Sequence, residues 1–183
     1  MLEALRARGL KEEVYLWSDD NLSNDYFWRF LSATDRALLN DNPMYGKVCC
    51  FKGFDRHSFA FNTAARPEDF DRQFDLMSRL LSDTSIDLYA YTTFTSDNPA
   101  GLEETMVTFV DRMQELDPNL PLRTVPLEVS VFSPVAPRMT DARRRALEIQ
   151  VDAVTIWTRE LEKRFTAEER GRKICDVELR GRA

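Results

Sequence analysis

The chain has 183 residues, 43% of them hydrophobic, enough for one domain with a real core and without a compositional break that would mark a second. Its formal net charge of −6 argues against a general nucleic-acid or anionic-membrane surface, because binding phosphate backbones needs a basic excess. The odd count of 3 cysteines and the lack of a signal sequence point to a reducing cytoplasm, and no apolar run approaches bilayer-spanning length.

Residues 1–8 (MLEALRAR) have a helical pattern with Leu2 and Leu5 on one face and Gly9 as the stop, but no capping residue precedes them. The chain therefore reads as opening inside a helix. Residues 13–18 (EVYLWS) read as a strand that ends on the turn formers Ser18, Asp19, Asp20 and Asn21. A helix follows from about Asn24, with Phe27, Phe30, Leu31 and Leu38 as its buried stripe.

The stretch that organises the chain is 46–55, GKVCCFKGFD, an apolar second strand over 46–52 that closes on Lys52 and Gly53. A loop is expected through Asp55, His57, Phe59 and Asn62, after which Pro67 opens a helix with the core face Phe70, Phe74, Met77 and Leu81. The third strand spans 86–95 (IDLYAYTTFT), and Asn98 with Pro99 signals the start of a helix striped by Leu102, Met106, Phe109, Met113 and Leu116. The fourth strand runs over 122–132. Its alternation puts Val125, Leu127, Val129 and Val131 on one face, expected to meet the helices, and Thr124, Pro126, Glu128 and Ser130 on the other. Pro126 removes a ladder donor and marks an edge strand. One long helix is predicted over 140–165 with Leu147, Val151, Val154 and Leu161 as its stripe, then a capping box at Thr166 and Glu169 and a loose tail beyond Cys175.

Repeated alternation of strand and helix predicts an α/β fold, a partial (βα) barrel of about four parallel strands with flanking helices, in which chemistry belongs at the strand ends. The basic clusters Arg143, Arg144, Arg145 and Arg170, Arg172, Lys173 lie on polar helical stretches and read as solvated faces. Cys49 and Cys50 are neighbours in a strand and point to opposite faces, so they do not readily bite one metal ion.

With the residues in place, WSDDNLSNDYFWRFL resembles the third-strand region of the radical S-adenosylmethionine superfamily. CCFKGFDRHSF resembles the fourth, IDLYAYTTFT the fifth and LPLRTVPLEVSVFSP the sixth. The likeness covers nearly the whole chain as order and spacing, while the CxxxCxxC cluster motif and the glycine-glycine-glutamate motif of that superfamily do not occur. The resemblance implies the carboxy-terminal half of such a barrel, truncated of its cluster-binding half. Its cofactor would be S-adenosylmethionine, with a 4Fe–4S cluster only if the missing half is supplied, because a thiolate cage needs correctly spaced cysteines.

Lys52 falls where the resemblance implies a lysine against the carboxylate or ribose of the cofactor; the alternative is a solvated turn residue. Asp55 is a ribose ligand or a turn cap, and Ser18, Asp19 and Asn21 are ligand acceptors at the mouth or builders of the turn. Thr93 and Thr95 line a pocket or are ordinary strand formers. Glu128, expected on the inward face, must be paired or functional there. His57, the single histidine, is expected at the surface.

The resemblance implies the S-adenosylmethionine- and substrate-contacting half of a radical enzyme, inactive alone. Its small-molecule or peptide substrate is not named by the sequence, and neither nucleic acid nor membrane is an expected partner. One alternative is a non-catalytic half-barrel interaction module that binds a protein partner; self-association through the exposed edge strand is expected under either reading. Another is an enzyme using Lys52 and Glu128 as acid and base without a cluster.

Overall fold

The computed structural model describes residues 1–134 and 136–179. Four strands, β1 (Leu16–Asp20), β2 (Tyr45–Phe51), β3 (Asp87–Thr93) and β4 (Thr124–Leu127), form one sheet in the order β1-β2-β3-β4. Every neighbouring pair is parallel. The fold is α/β with flanking helices, as a partial (βα) barrel requires. β1 and β4 are the edges, which accommodates Pro126 in β4.

The helices are α1 (Leu2–Ala7), α2 (Tyr26–Phe30), α3 (Ala33–Asn40), α4 (Arg56–Thr63), α5 (Asp71–Asp83), α6 (Leu102–Leu116), α7 (Asp141–Arg164) and α8 (Ala167–Arg170). Gly9, at φ +71°, ends the first as expected. A 3₁₀ turn at Pro67–Phe70 leads into α5, whose buried Phe74, Met77 and Leu81 continue the stripe begun at Phe70. Phe51 of β2 packs on Phe74 and Phe109, and Trp157 of α7 completes the cluster against Phe94 and Phe109. Burial of these large apolar side chains, at roughly 1.5–3 kcal/mol each, is the main favourable term in folding.

Register sorts the sheet into two faces. Leu88, Ala90 and Thr92 of β3 are buried beneath the helical layer, and Asp87, Tyr89, Tyr91 and Thr93 alternate with them onto the open face. Val125 pairs with Tyr91 and Leu127 with Thr93, so they share that open face. They are 38% and 39% exposed. The fourth strand is therefore turned over relative to the expectation: Thr124 meets the covered side, and the apolar Val125 and Leu127 lie on the open one. β4 is also shorter than 122–132, because residues Leu120–Arg123 form a 3₁₀ turn before it.

Other differences are local. β1 begins at Leu16 and keeps Ser18, Asp19 and Asp20 inside the strand. The helix expected from Asn24 breaks at Leu31, because Ser32 and Asp35 form a capping box that starts α3, and Phe30 is 70% exposed. The loop expected through His57, Phe59 and Asn62 is α4. α6 starts after Gly101 at φ +64° and not at Pro99. α7 is present, but Val151 is solvent-facing and the buried stripe is Ala146, Ile149, Ala153, Ile156 and Trp157. α8 has the expected capping box.

The tail is anchored as far as it is described. Val177 and Leu179 are buried, and Arg123 Nη1 donates to the main-chain oxygen of Val177 at 2.9 Å. The remainder of the expected tail, residues 180–183, lies outside the described residues. Among the described residues no helix is long and apolar enough to cross a membrane.

Candidate functional site

Parallel strands deliver their carboxyl ends to one rim, and main-chain groups there need partners that the ladder no longer supplies. At the end of β2 the supply comes from buried side chains. The backbone N–H of Lys52 donates to Oε1 of Gln73 at 2.7 Å, and Gln73 is itself 1% exposed. Nδ2 of Asn62 donates to the carbonyl of Lys52 at 3.1 Å and to that of Thr95 at 3.0 Å, so one amide ties the ends of β2 and β3 together.

Gly53 lets this turn close. A Cβ at that position would lie 2.5 Å from the Phe59 backbone nitrogen and 2.8 Å from Ser58 Oγ. α4 therefore starts directly against the strand end. Asp55 is its N-cap: Oδ1 accepts from the Ser58 backbone N–H at 2.7 Å, and Ser58 Oγ accepts in return from the Asp55 N–H at 3.0 Å.

Lys52 stands between two clefts. The first, of about 400 Å³, is lined by Lys52, Asn62, Thr93, Thr95, residues 129–131 and the amino-terminal end of α7 including Arg143. Gln150 of α7 holds its far wall by pairing with both main-chain groups of Val129, at 2.8 and 3.1 Å. The second, of about 420 Å³, lies toward the end of β1 and includes Asn21, Asn24, Arg66 and Arg72. No Asp or Glu lines the first cleft, and Lys52 and Arg143 make no ion pair among the described residues. The cleft suits an anionic group, the ammonium acting as a point charge.

The candidates divide clearly. Lys52, Thr93 and Thr95 come together, and Asn21 faces Lys52 across the second cleft. Asp19 lies on the open face, paired in register with Val48. Ser18 is not at the mouth: it sits within β1 on the covered side, its hydroxyl 2.6 Å from the Tyr45 hydroxyl and 3.4 Å from Lys47 Nζ. Asp55 spends its carboxylate on the cap. Glu128 is exposed beyond the end of β4, so the inward carboxylate expected there does not exist. His57 is at the surface in the first turn of α4, with Nε2 2.7 Å from Oδ1 of Asp97.

Sequence reasoning did not identify Gln73, Asn62 or Gln150, three uncharged amides. The legible signal was the Asp55-x-x-Ser58 spacing, a capping arrangement that makes α4 helical and puts Asn62 two turns along it. It also passed over Lys47, a buried ammonium 3.3 Å from Asp20 and over the Phe27 ring.

Cys49 faces the helices and Cys50 the concave side, where burial pushes its thiol up. Among the described residues no group of three or more His, Cys, Asp or Glu side chains is placed to hold a metal ion. The chain matches no family model, no curated protein and no solved structure.

Proposed function

We propose that this chain is the S-adenosylmethionine- and substrate-contacting part of a radical S-adenosylmethionine enzyme, with the cofactor's amino-acid end held at Lys52. The observation that carries the reading is an ammonium half-buried at the end of β2 that, among the described residues, has no ion pair and stands in a cleft lined by no Asp or Glu. A carboxylate there forms a charge-assisted contact, stronger than a neutral hydrogen bond. Thr93 and Ser130 offer hydroxyls for a sugar, and Val129, Val131 and Leu147 supply apolar walls.

The cofactor, when bound beside a reduced cluster, supplies a radical that abstracts hydrogen from substrate. The cysteines of this chain do not fit a cluster, so no step is assigned to one. What these residues do is bind and orient: Lys52 fixes one end of the ligand, the Asn62 amide fixes the Lys52 main chain, and the segment held by Gln150 forms one wall of the cleft.

Calorimetry with S-adenosylmethionine tests the reading. Binding that is lost in Lys52→Met at unchanged melting temperature is the expected result, and no heat at millimolar ligand overturns it.

A second reading follows from the edges of the sheet. Among the described residues no strand lies on the outer side of β1, and its Trp17 is 61% exposed. Such an edge recruits other strands, which favours a half-barrel interaction module that self-associates through β1. Sedimentation distinguishes them: a concentration-independent monomer rules out the module acting through self-association.

A further inference from the structure

The open face carries a third cavity, away from both clefts at Lys52 and independent of the reading above. It measures about 400 Å³ and is lined by Tyr15, Trp17, Tyr89, Tyr91, Val125 and Ile174. Register explains its form. Trp17, Gly46 and Asp87 make one row across the sheet, Asp19, Val48 and Tyr89 the next, and Cys50, Tyr91 and Val125 the third. Glycine in the central strand keeps the floor low, because a Cβ at Gly46 would lie 2.2 Å from the Tyr15 hydroxyl oxygen.

The rings are held in place. The hydroxyls of Tyr15 and Tyr89 both donate to Oδ2 of Asp87, at 2.8 and 2.7 Å. Among the described residues none of the four rings stacks on another aromatic ring, which leaves ring faces available to a ligand. One of them already takes a cation: the Arg123 guanidinium carbon lies 4.0 Å from the Tyr89 ring centre, its charge answered by Asp87.

Among the described residues no Lys or Arg lines the trough itself, and the nearby Arg123 charge on the Tyr89 ring is paired with Asp87. Asp19, two residues on from Trp17 and on the same face, lies beside the trough and outside its lining; it is exposed and joins no ion pair among the described residues. Ring faces and a carboxylate repel anions. A neutral apolar ligand would gain only contact area, whereas a soft, weakly hydrated cation gains both contact area and the quadrupole attraction of the rings.

We infer that this trough binds an organic cation of the quaternary-ammonium type, with its methyl groups against Trp17, Tyr89 and Tyr91 and its charge toward Asp19. Position decides the choice of ion: a primary ammonium, strongly hydrated, would lose more water than these carbon-lined walls replace.

The test compares choline with its neutral carbon isostere 3,3-dimethylbutan-1-ol, followed by ligand-observed NMR on the full chain. Choline is expected to bind roughly tenfold more tightly than the alcohol, a preference that Trp17→Leu abolishes. Trp17 is exposed, so this variant should retain the fold, which circular dichroism checks; Asp19→Asn, weakening choline severalfold and leaving the alcohol unchanged, is the independent variant. Equal binding of the two probes, no detectable choline binding, or a preference intact in both variants overturns the inference. Lys52→Met leaves choline binding unchanged, so failure here and failure of the cofactor reading are separate results.

Discussion

Asn62 and Thr95 hold each other reciprocally: the threonine hydroxyl donates to Oδ1 of Asn62 at 2.6 Å, and the asparagine Nδ2 donates back to the Thr95 carbonyl. The orientation of the amide is fixed by this exchange, since a flipped side chain would set its oxygen against two carbonyls. Asn62→Ala orphans those carbonyls and is expected to lower unfolding free energy by about 2 kcal/mol, read by urea denaturation. Asn62→Asp should be worse than alanine, because it places an acceptor against acceptors.

Lys52→Met keeps the aliphatic stem and removes the charge. The main-chain bonds of residue 52 to Gln73 and Asn62 are unaffected. Under the proposed cofactor reading, S-adenosylmethionine affinity is expected to fall about tenfold or more, the loss of a charge-assisted contact, with no change in melting temperature.

Gly53→Ala forces a methyl group against the backbone of Phe59. Backbone gives way less than a side-chain tip, so the start of α4 must shift away from the end of β2. A loss of about 1–3 kcal/mol is expected in denaturant titration, accompanied by weaker ligand binding because the Asn62 contacts move with the helix.

Arg123→Met removes a guanidinium that serves β3 and the carboxyl-terminal segment at once. Its side chain is 4% exposed, pairs with Asp87, and donates to the carbonyls of Leu88 and Val177 at 3.1 and 2.9 Å. A loss of about 3 kcal/mol is expected, because partners are left without answer in a dry environment. Limited proteolysis should then cut first within residues 174–179, and a stable segment there would contradict this account.

Asp71 gives a pH signature. Partial burial works against its ionisation, but the hydrogen bonds and charges of Arg56 and Arg112 prevail and hold its carboxyl below the usual range. A group depressed on folding contributes stability above its unfolded value and loses it as pH falls through the lower folded value. Unfolding free energy should therefore decline as pH drops below about 4. Asp71→Asn should flatten that part of the curve, and an unchanged slope would show that the pair contributes nothing measurable.

What the sequence disclosed was periodic. Phe70, Phe74, Met77 and Leu81 repeat at helical spacing, and the structure buries all of them. Alternation in 125–131 is equally regular, yet it separates two faces without saying which one the helices cover. Because the concave face is itself aromatic and aliphatic, hydrophobicity pointed the wrong way there. Asp19 and Asp20 read as turn formers by composition, but β1 is an edge strand with water within reach, where acidic residues are tolerated. The site was legible at Lys52, whose charge before a glycine stands out, and at Thr93, Thr95 and Asn21 beside it. Gln73, Asn62 and Gln150 carry no periodic or charge signature, and their roles arise only once distant segments meet.

Strands adjacent in the sheet are also consecutive in the chain, from β1 through to β4. Each new unit therefore lays its strand beside the one just placed, and no connection has to cross another. Assembly can proceed like a fan opening from one side. A gene encoding such an array can lengthen it at either rim by whole units, whereas loss of a middle unit would remove the Lys52 end or the Thr95 end itself and with it the cleft they share.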